Sequence, residues 1–557
     1  MILKIVLYID HDLTESNRIM KHFFVLLLII FSVQTSKAQW MNENLEGKWI
    51  GTIDFELYPD LVFVNIDSVI KVKLFYHQEE TEKVENYKET SDSLTFQIDT
   101  PSMAATYKGE IINDSTIMGK LEVGFKTIDC NLIRIAAINI DDMGSLLGYF
   151  SFEDGRVIQI EPFYIDGTTH PLRILDYYNG KQRILYPTYK DKNKVTFAAG
   201  PKMATSYPTD FTITLFRNDA GEALRLQYDS FVEGTSLKEG KRLQELANTK
   251  EIIVKNDDVQ IEGTLTYPNI DTNNHPLVIF VPGAGPQFRG NLFDEYIRTL
   301  PYYGVATYVY DKRGCGLSTG DRKSANFDDF ASDLEAVIKK LKKAKHIDEN
   351  RIGIVGFDQA GYVMPLALQE RDDIQFIVNL SGAVTPFADQ ELQALQKRLT
   401  ADQFTNEDIE LTLKYQKLFM KFLEDDQKTP ELMEVYNKII LTPMIEYITT
   451  LDQQEYIDWW KRYYKFDAKA SWEKINCPVL SIYGEKDNLL DPQSNLDRIE
   501  TFNNHSLFTT KVLEKSNHLL LIGGKRGDVQ LTEIEGYHPF LFKTLNEWIG
   551  EKMGMLK

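Results

Sequence analysis

The sequence contains very little cysteine. Its 557 residues include only Cys130, Cys315 and Cys477, and so small and widely spread a set excludes a disulfide framework. Neither these cysteines nor the histidines and carboxylates have the spacing of metal ligands, so the sequence predicts no metal site and no cofactor. Without disulfides the protein has to be stabilised by large hydrophobic cores, and 43% of its residues are hydrophobic.

Basic residues are also scarce. The sequence has 62 Lys and Arg against 82 Asp and Glu, which gives a formal net charge of −20. A nucleic-acid partner requires a basic surface that replaces the counterions of the phosphates, so this balance argues against one. The chain is also too long for a single hydrophobic core, and we expect two or three domains.

The start of the chain lacks an apolar run that is long enough to span a bilayer. The run there, residues 23–33, is shorter than the roughly 20 residues that a bilayer requires. Lys21 and His22 precede it, and Ser36 and Ala38 supply the small side chains that come just before a cleavage site. This pattern is typical of a secretory signal peptide.

We therefore predict that residues 1–38 comprise an upstream extension, before a true start at Met20, and a signal peptide. The mature chain then begins near Gln39 and is exported to the periplasm or beyond the cell, with no stable membrane insertion after cleavage. An uncleaved membrane anchor is the alternative. No cysteine follows the cut, which argues against a lipid anchor at that point.

Residues 40–138 have the pattern of a β domain. Leu94, Phe96 and Ile98 alternate with polar residues on one face of a strand, and Asn-Asp-Ser at 113–115 predicts the turn of a hairpin. Repeated short strands with glycines at their edges predict a small antiparallel barrel or sandwich.

Residues 140–237 predict a second β domain. Glu-Asp-Gly-Arg at 153–156 and Asn-Asp-Ala-Gly at 218–221 have the composition of hairpin turns. Neither β domain contains a cluster of His, Cys or carboxylates that indicates a site. Residues 238–250 are highly charged and favour a helix, and we predict a linker there.

The pattern changes in residues 250–557. Strands now alternate with helices, which indicates a parallel sheet with crossover connections. A helical, aromatic-rich segment at about 386–472 interrupts the alternation and is far longer than an ordinary connection. Its aromatic side chains either line a pocket or form the packed face of a lid, and such a stripe more often belongs to a core. We predict strands at 278–281, 305–310, 374–380, 479–483 and 510–513, and helices at 292–300, 327–341 and 531–550.

The centre of this region is residues 351–361, RIGIVGFDQAG. Its first half is a short apolar run typical of a strand that is covered on both faces, and Gly356 and Gly361 bracket a tight turn into a helix. This is the pattern of a nucleophile elbow, in which one residue sits on a strained turn with its side chain at the top of the sheet. Here that residue is Asp358.

This stretch resembles the nucleophile elbow of the α/β-hydrolase family, in particular its branch of bacterial exported esterases and serine-aminopeptidase-like (S33) proteins with N-terminal β domains. The resemblance covers residues 250–550 well and the β region loosely. It implies an α/β-hydrolase fold with a helical cap, the segment 386–472, preceded by one or two antiparallel β domains. Where the family usually has Gly-His-Ser-Glu-Gly-Gly, this sequence has Gly356, Phe357, Asp358, Gln359, Ala360 and Gly361.

A second stretch carries the resemblance further. Residues 310–320, YDKRGCGLSTG, are similar to the family's Asp-x-Arg-Gly-x-Gly-x-Ser run, in which several residue types match at fixed spacing. We expect a structural role, with Asp311 and Arg313 paired to hold the turn. Cys315 has no histidine close to it in sequence, so we do not expect it to be a nucleophile.

The resemblance also implies the acid and the base of a catalytic triad. Asp487 follows a predicted strand at the position of the family's triad acid, and His518 follows the last strand at the position of the triad histidine. The order of elbow, acid and histidine is that of α/β-hydrolases. The small residues of 282–286 let the backbone approach a reacting carbonyl, so the amides of Ala284 and Gln359 are candidate oxyanion donors. Pro282 stands where the family usually has histidine.

Three functions remain open because the elbow residue is Asp358. The first is a carboxylic-ester hydrolase that acts on a small-molecule ester, although Asp358 has no hydroxyl proton for His518 to remove. The second is a catalytically impaired relative that binds an apolar or acyl ligand or serves as a scaffold, with Asp358 and His518 as an ion pair. The third is a hydrolase in which the carboxylate attacks an alkyl carbon and His518 activates water against the resulting ester. Ser381 follows the next strand but lacks elbow geometry, and we do not expect it to be the nucleophile.

Overall fold

The computed structural model divides the chain into two compact units. One comprises residues 1–244 and 522–542, and the other comprises residues 245–521 and 543–557. The predicted signal peptide, apart from two residues, and the predicted helix at 292–300, apart from its last residue, lie outside the described residues. The structure describes residues 45–55, 58–66, 70–74, 84–100, 103–136, 143–162, 172–231, 237–243, 247–269, 274–289, 300–523 and 533–555, together with Leu28–Ile29.

The first unit contains two antiparallel sheets. In the first sheet, Leu94, Phe96 and Ile98 are buried as predicted, and the predicted turn at 113–115 joins two paired strands. Trp49 is fully buried in the same core. The strands follow the order Leu28–Ile29, Ile70–Leu74, Tyr58–Ile66, Gly47–Phe55, Leu132–Ile135, Thr116–Val123, Met103–Asn113, Ser93–Thr100 and Val84–Glu89, with Lys126–Asp129 paired to Thr116–Val123.

The second sheet confirms both predicted hairpin turns. Residues 153–156 join Gly148–Phe152 to Val157–Pro162, and residues 218–221 join Phe211–Arg217 to Ala223–Ser230. A short 3₁₀ helix, Gly144–Leu146, precedes the sheet. The strands follow the order Gln182–Ile184, Leu172–Asp176, Val157–Pro162, Gly148–Phe152, Lys238–Arg242, Ala223–Ser230, Phe211–Arg217, Lys194–Ala199 and Tyr186–Lys190.

The predicted helical linker at 238–250 is wrong. Lys238–Arg242 is a strand in the middle of the second sheet, and residues 247–250 begin another strand. Charged side chains of Lys238–Arg242 form ion pairs with residues of the same domain. Lys238 Nζ lies 2.8 Å from an oxygen of Asp154, and Glu239 pairs with Arg225. A charge-rich segment can therefore form a strand when adjacent chain segments supply the opposite charges.

The second unit is built on an eight-stranded sheet. Its first two strands are antiparallel, and the pairings from Ala306–Tyr310 through to Phe508–Leu513 are parallel. His275–Val281 and Phe376–Leu380 are buried along their whole length, as expected of strands covered on both faces. The strands follow the order Ala247–Asn256, Val259–Pro268, Ala306–Tyr310, His275–Val281, Ile347–Phe357, Phe376–Leu380, Val479–Gly484 and Phe508–Leu513.

Helices connect these strands. The predicted helix at 327–341 is confirmed, and Asn326 caps it with a reciprocal pair of hydrogen bonds to Asp329. The last helix begins at Pro539 and not at 531, because Gly536–Tyr537 pairs with Leu521–Ile522 as a two-stranded sheet. The helices are Phe327–Leu341, Ala360–Leu368, Phe387–Ala401, Asn406–Asp425, Pro430–Ile439, Gln454–Tyr463, Lys469–Trp472, Pro492–Glu500 and Pro539–Lys552, with 3₁₀ turns at Leu300–Tyr303, Pro443–Tyr447 and His505–Leu507.

The segment 386–472 is helical and packed as a cap on the second unit. Its aromatic side chains form a packed face, which is the alternative that the sequence favoured. Trp460 and Tyr463 are buried in the core of the unit, and the fully buried indole of Trp472 donates to the carbonyl oxygen of Gly361 at 3.0 Å. Among the described residues, no helix is both long enough and apolar enough to cross a membrane.

Candidate active site

Asp358 occupies the predicted strained turn. It follows the strand Ile347–Phe357 and has φ of +54°, a left-handed conformation that is uncommon outside glycine. Its N–H donates to the carbonyl oxygen of Leu380 on the next strand at 3.0 Å. Gly283 approaches so closely that a Cβ there would lie 3.0 Å from the carbonyl oxygen of Phe357. The chain thus forms a nucleophile elbow with a half-buried carboxylate at its tip.

The structure places the predicted acid and base beside this carboxylate. His518 Nδ1 lies 2.7 Å from Asp487 Oδ2, and Asp487 Oδ1 accepts hydrogen bonds from the N–H groups of Leu489 and Leu490 at 2.9 and 2.8 Å. The other ring nitrogen of His518 lies 3.8 Å from Asp358 Oδ1 and has no hydrogen-bond partner among the described residues. Asp487 therefore orients the imidazole so that Nε2 faces Asp358.

The second oxygen of Asp358 is held from the opposite side. The N–H of Ala284 donates to Asp358 Oδ2 at 2.9 Å. The carboxylate thus bridges the site, with Oδ2 on a backbone amide and Oδ1 toward the imidazole. The predicted roles of the Ala284 and Gln359 amides as oxyanion donors both stay predictions.

Residues 276–525 match the family model described as the alpha/beta hydrolase fold. Its matched range includes the elbow, Asp487 and His518. The second unit has the α/β-hydrolase fold.

Three of the solved structures to which the chain is similar cover about half of it. No curated protein matches this chain. The alpha/beta hydrolase GrgF from Penicillium sp. sh18 is 15% identical, with a TM-score of 0.36, over 55% of this chain and 99% of its own. Est1E from Butyrivibrio proteoclasticus, with ferulic acid bound, is 16% identical, with a TM-score of 0.34, over 54% and 97%. The Pyrococcus furiosus esterase Pf2001 is 17% identical, with a TM-score of 0.33, over 56% and 90%.

Lys312 is a residue of the hydrolase site that the sequence did not single out. It lies within the loop 310–320, is 4% exposed, and its Nζ donates to Gly283 O at 2.7 Å and to the side-chain oxygen of Gln359 at 2.6 Å. Burial lowers the pKa of Lys312 to about 7, against the charge of Asp358, which favours the ammonium. The one feature of the sequence that could have indicated a role for Lys312 is its place between Asp311 and Arg313, which match the family pattern.

The cap contributes a second ionisable group that the sequence missed. Desolvation raises the pKa of the half-buried Glu391, on the helix Phe387–Ala401, to about 7 against the charge of Arg398, and the negative charge of Asp358 adds to the rise. The same helix contacts the loop of the triad acid, because Lys397 Nζ donates to the carbonyl oxygen of Asp487 at 2.8 Å. No sequence motif includes Glu391. It is far along the chain from Asp487 and His518, so the sequence does not indicate that it belongs near them.

The negative groups around His518 decide its charge. Burial disfavours the imidazolium, but the charge and hydrogen bond of Asp487, together with the charge of Asp358, outweigh that cost and raise the pKa of His518 above its ordinary value. The imidazole also makes an edge-to-face contact with the Phe357 ring, at 5.0 Å between centroids. His518 is therefore a base whose proton is held more tightly than usual.

The expected pairing of Asp311 with Arg313 is wrong. Asp311 accepts from the backbone and side chain of Arg289 and from the N–H of Leu317. Arg313 instead makes two hydrogen bonds of 2.8 Å to the carboxylate of Asp333. Arg289 and Asp333 both lie outside the loop 310–320. The loop is therefore held mainly by ion pairs with other segments, and not by an ion pair within itself.

The remaining nucleophile candidates are not supported. Burial raises the pKa of the Cys315 thiol, which disfavours the reactive thiolate. Ser381 is fully buried at the end of Phe376–Leu380. Within the described part of the chain, no group of three or more His, Cys, Asp or Glu side chains is arranged to hold a metal ion.

Proposed function

We propose that the α/β-hydrolase domain hydrolyses a small molecule through attack of the Asp358 carboxylate on a saturated carbon that carries a leaving group. The observation that carries this proposal is the contact of 2.9 Å between the Ala284 N–H and Asp358 Oδ2, with Oδ1 on the side of His518. Fold alone does not assign a reaction, so the proposal depends on this geometry.

The contact at Ala284 separates the carboxylate-nucleophile hypothesis from acyl transfer. In acyl transfer the oxyanion donor has to reach the carbonyl oxygen of the substrate. Here that donor already holds Oδ2 of Asp358, so a substrate carbonyl would have to displace the carboxylate. When Asp358 itself becomes the ester, however, the oxygen that needs stabilisation is Oδ2, which is already in place.

The reaction then has two steps. Asp358 Oδ1 forms a bond to the substrate carbon, and the bond to the leaving group breaks with its electron pair. His518 Nε2 next takes a proton from water as the water oxygen attacks Asp358 Cγ, which places a negative charge on Oδ2 beside the Ala284 N–H. Collapse of this intermediate releases Oδ1 with the substrate carbon as an alcohol, protonated by His518. Collapse leaves Asp358 as a carboxylic acid that keeps Oδ2 and the oxygen of the water, and loss of its remaining proton to solvent regenerates the carboxylate.

The hypothesis of a carboxylic-ester hydrolase differs in the bond that breaks. An ester attacked at its alkyl carbon by Asp358 loses a carboxylate as leaving group, whereas acyl transfer cleaves the bond between the acyl carbon and oxygen. Esters therefore remain within the proposed substrate class, together with alkyl halides and with epoxides, whose alkoxide takes its proton from water when the ring opens. The proposed partner is a small molecule in each case.

Trapping the covalent intermediate tests the proposal. In His518→Gln no base activates the water, so 1-bromohexane, styrene oxide or an alkyl ester should leave a stable alkyl ester on the peptide that contains Asp358. Mass spectrometry of that peptide measures the adduct. Asp358→Asn in the same background is the matched control and should carry none. Hydrolysis of 4-nitrophenyl butyrate by the native protein, with no adduct from any alkyl substrate, would contradict the proposal.

A binding or scaffold protein is the second candidate. The observation that favours it is the raised pKa of His518, because an imidazolium next to Asp358 cannot accept a proton from water. If this candidate is correct, the native protein turns over none of the substrates, and Asp358→Ser alone gains activity toward 4-nitrophenyl butyrate.

We also propose that the protein is exported and begins near Gln39. The apolar run at 23–33, with Lys21 and His22 before it and small residues after it, supports this proposal. N-terminal sequencing of the protein isolated from its source tests it, and a protein that still carries residues 23–33 would contradict it.

A further inference from the structure

Lys312 joins the two loops that form the candidate oxyanion site. Its Nζ donates to Gly283 O at 2.7 Å and more distantly to Gly285 O at 3.4 Å, so the ammonium binds the carbonyls on both sides of Ala284. The same atom donates to the side-chain oxygen of Gln359, the residue that follows Asp358, at 2.6 Å. One buried side chain thus fixes residues 283–285 relative to the elbow.

The geometry of the peptide bond gives this contact a consequence for the site. The peptide between Gly283 and Ala284 is planar and trans, so its C=O and its N–H point in opposite directions. Because the Gly283 carbonyl is directed at Lys312 Nζ, the Ala284 N–H is directed away from Lys312, toward Asp358 Oδ2 at 2.9 Å. Rotation of this peptide would break both hydrogen bonds at once.

The surroundings of Lys312 suit this task. The Phe330 ring lies under the ammonium, with Nζ 4.5 Å from the ring centroid, and the side chain is 4% exposed. An ammonium has three N–H donors, which equals the number of oxygen acceptors that surround it here. A second fixed contact holds the next carbonyl, because the side-chain amide of Gln287 donates to Ala284 O at 3.2 Å.

We propose that Lys312 is a positioning residue that orients the Ala284 N–H toward Asp358 by holding the carbonyl of Gly283. Lys312 acts through Ala284 and does not touch the reacting atoms. This inference rests on the proposed function for its catalytic consequence, whereas the orientation of the amide is a property of the protein alone. Without Lys312 the peptide is free to turn its carbonyl toward Asp358, which would place an acceptor where a donor is needed.

Amide hydrogen exchange tests the orientation without any substrate. In Lys312→Met, the peptide covering residues 280–289 should exchange at least about tenfold faster than in the native protein, because the hydrogen bond from Ala284 to Asp358 is lost. The strand Ala306–Tyr310 should keep its native exchange, which separates a turned peptide from local unfolding. Lys339→Met, at an exposed position on the helix Phe327–Leu341, is the matched control and should change neither. Native exchange at 280–289 in Lys312→Met would overturn the proposal.

A second variant and a kinetic readout complete the test. Gln359→Met removes one acceptor of Lys312 and leaves the Gly283 contact, so its exchange should lie between those of the native protein and Lys312→Met. With 1-bromohexane, Lys312→Met should lose about 10²-fold in kcat with a smaller change in KM, because the oxyanion forms in the second step. The alkyl ester on Asp358 should therefore accumulate even though His518 is present. If Lys312→Met exchanges faster but His518→Gln carries no adduct, the positioning role of Lys312 holds and the proposed reaction is rejected. If His518→Gln carries the adduct but Lys312→Met exchanges at the native rate, the reaction holds and the positioning role is rejected.

Discussion

The site has two halves, and they differ in how closely they match the arrangement that a serine hydrolase needs. The base half comprises Asp487 and His518, and the elbow half comprises Asp358 and Ala284. Asp487 and His518 have the arrangement that activates a hydroxyl nucleophile, with a hydrogen bond of 2.7 Å and a free ring nitrogen toward the elbow. Asp358 and Ala284 have the same backbone geometry as such an elbow but a carboxylate, which occupies the donor that a substrate carbonyl needs. The base half is compatible with either water or a hydroxyl as its partner, whereas the elbow half, with Oδ2 on the Ala284 N–H, is compatible with the proposed reaction in which its own oxygen is stabilised.

The elbow has a strained backbone at a residue that is not glycine. A residue at φ of +54° costs on the order of 1–3 kcal/mol. Hydrogen bonds from Asp358 N–H to Leu380 O and from the Ala284 N–H to Oδ2 hold it there. Both hydrogen bonds thus hold the Asp358 carboxylate in a fixed position at the elbow.

The largest effect is expected for Asp358→Asn. The amide cannot attack carbon, yet its oxygen can still accept from Ala284 N–H, so turnover of alkyl substrates should fall by about 10⁴-fold while the thermal unfolding midpoint changes little. Steady-state rates and calorimetry measure the two quantities. Turnover within tenfold of the native protein would mean that Asp358 is not the nucleophile.

A change in the base half should have a smaller effect. Asp487→Asn removes the carboxylate that fixes the His518 tautomer, so hydrolysis of the alkyl ester should slow by about 10²–10⁴-fold while its formation is less affected. Rapid quenching and mass spectrometry follow formation and hydrolysis separately. Equal slowing of both steps would contradict the division of the site into an elbow half and a base half.

The contact between the cap and the elbow helix should affect stability more than activity. Trp472→Phe removes the indole N–H from the buried carbonyl oxygen of Gly361, which should lower the free energy of unfolding by about 1–3 kcal/mol. Trp459→Phe, at a half-buried ring of the cap, is the control with a smaller expected loss. Denaturant titration measures both. If Trp472→Phe remained folded at the assay temperature but lost most of its activity, the cap would contribute to the reaction and not only to stability.

Much of the fold could be predicted from the sequence because its patterns are local. The turn at 153–156, the helix Phe327–Leu341 and the elbow at Asp358 follow from residues that are close in the chain, and the structure confirms all three. The strand Lys238–Arg242 was mistaken for a helix because its charges are balanced by residues of other chain segments.

The missing parts of the site are contacts between distant segments. Lys312 and Gln359 are 47 positions apart, and Arg313 pairs with Asp333 and not with its neighbour in the loop. Residue type indicates that such side chains need partners, but only the fold determines which partners they have.

The smallest expected effect is on pH dependence. His518 has to be neutral to take a proton from water, and burial, which lowers its pKa, is outweighed by Asp487 and Asp358. The alkyl ester on Asp358 carries no charge, so this shift belongs to the protein without substrate: NMR of the imidazole should show His518 losing its proton through a midpoint above 6.5. A midpoint below that value would contradict the raised pKa.

The same shift gives a linked prediction for stability. Because the folded protein holds the proton of His518 more tightly than the unfolded chain, the stabilisation is complete below the unfolded pKa and is lost as pH rises through the folded one. The difference in the free energy of unfolding between the native protein and His518→Gln should decrease as pH rises through that interval. A difference that grows with pH would mean that the imidazole is held neutral.

A single turnover in H₂¹⁸O tests the central claim most directly. With the protein in excess over 1-bromohexane, our account predicts that the alcohol contains ¹⁶O, taken from Asp358, and that the peptide containing Asp358 gains one ¹⁸O from water. Mass spectrometry reads both products of the same reaction. Label in the alcohol with an unlabelled Asp358 would show that water attacks the substrate directly, and the carboxylate would then not be the nucleophile.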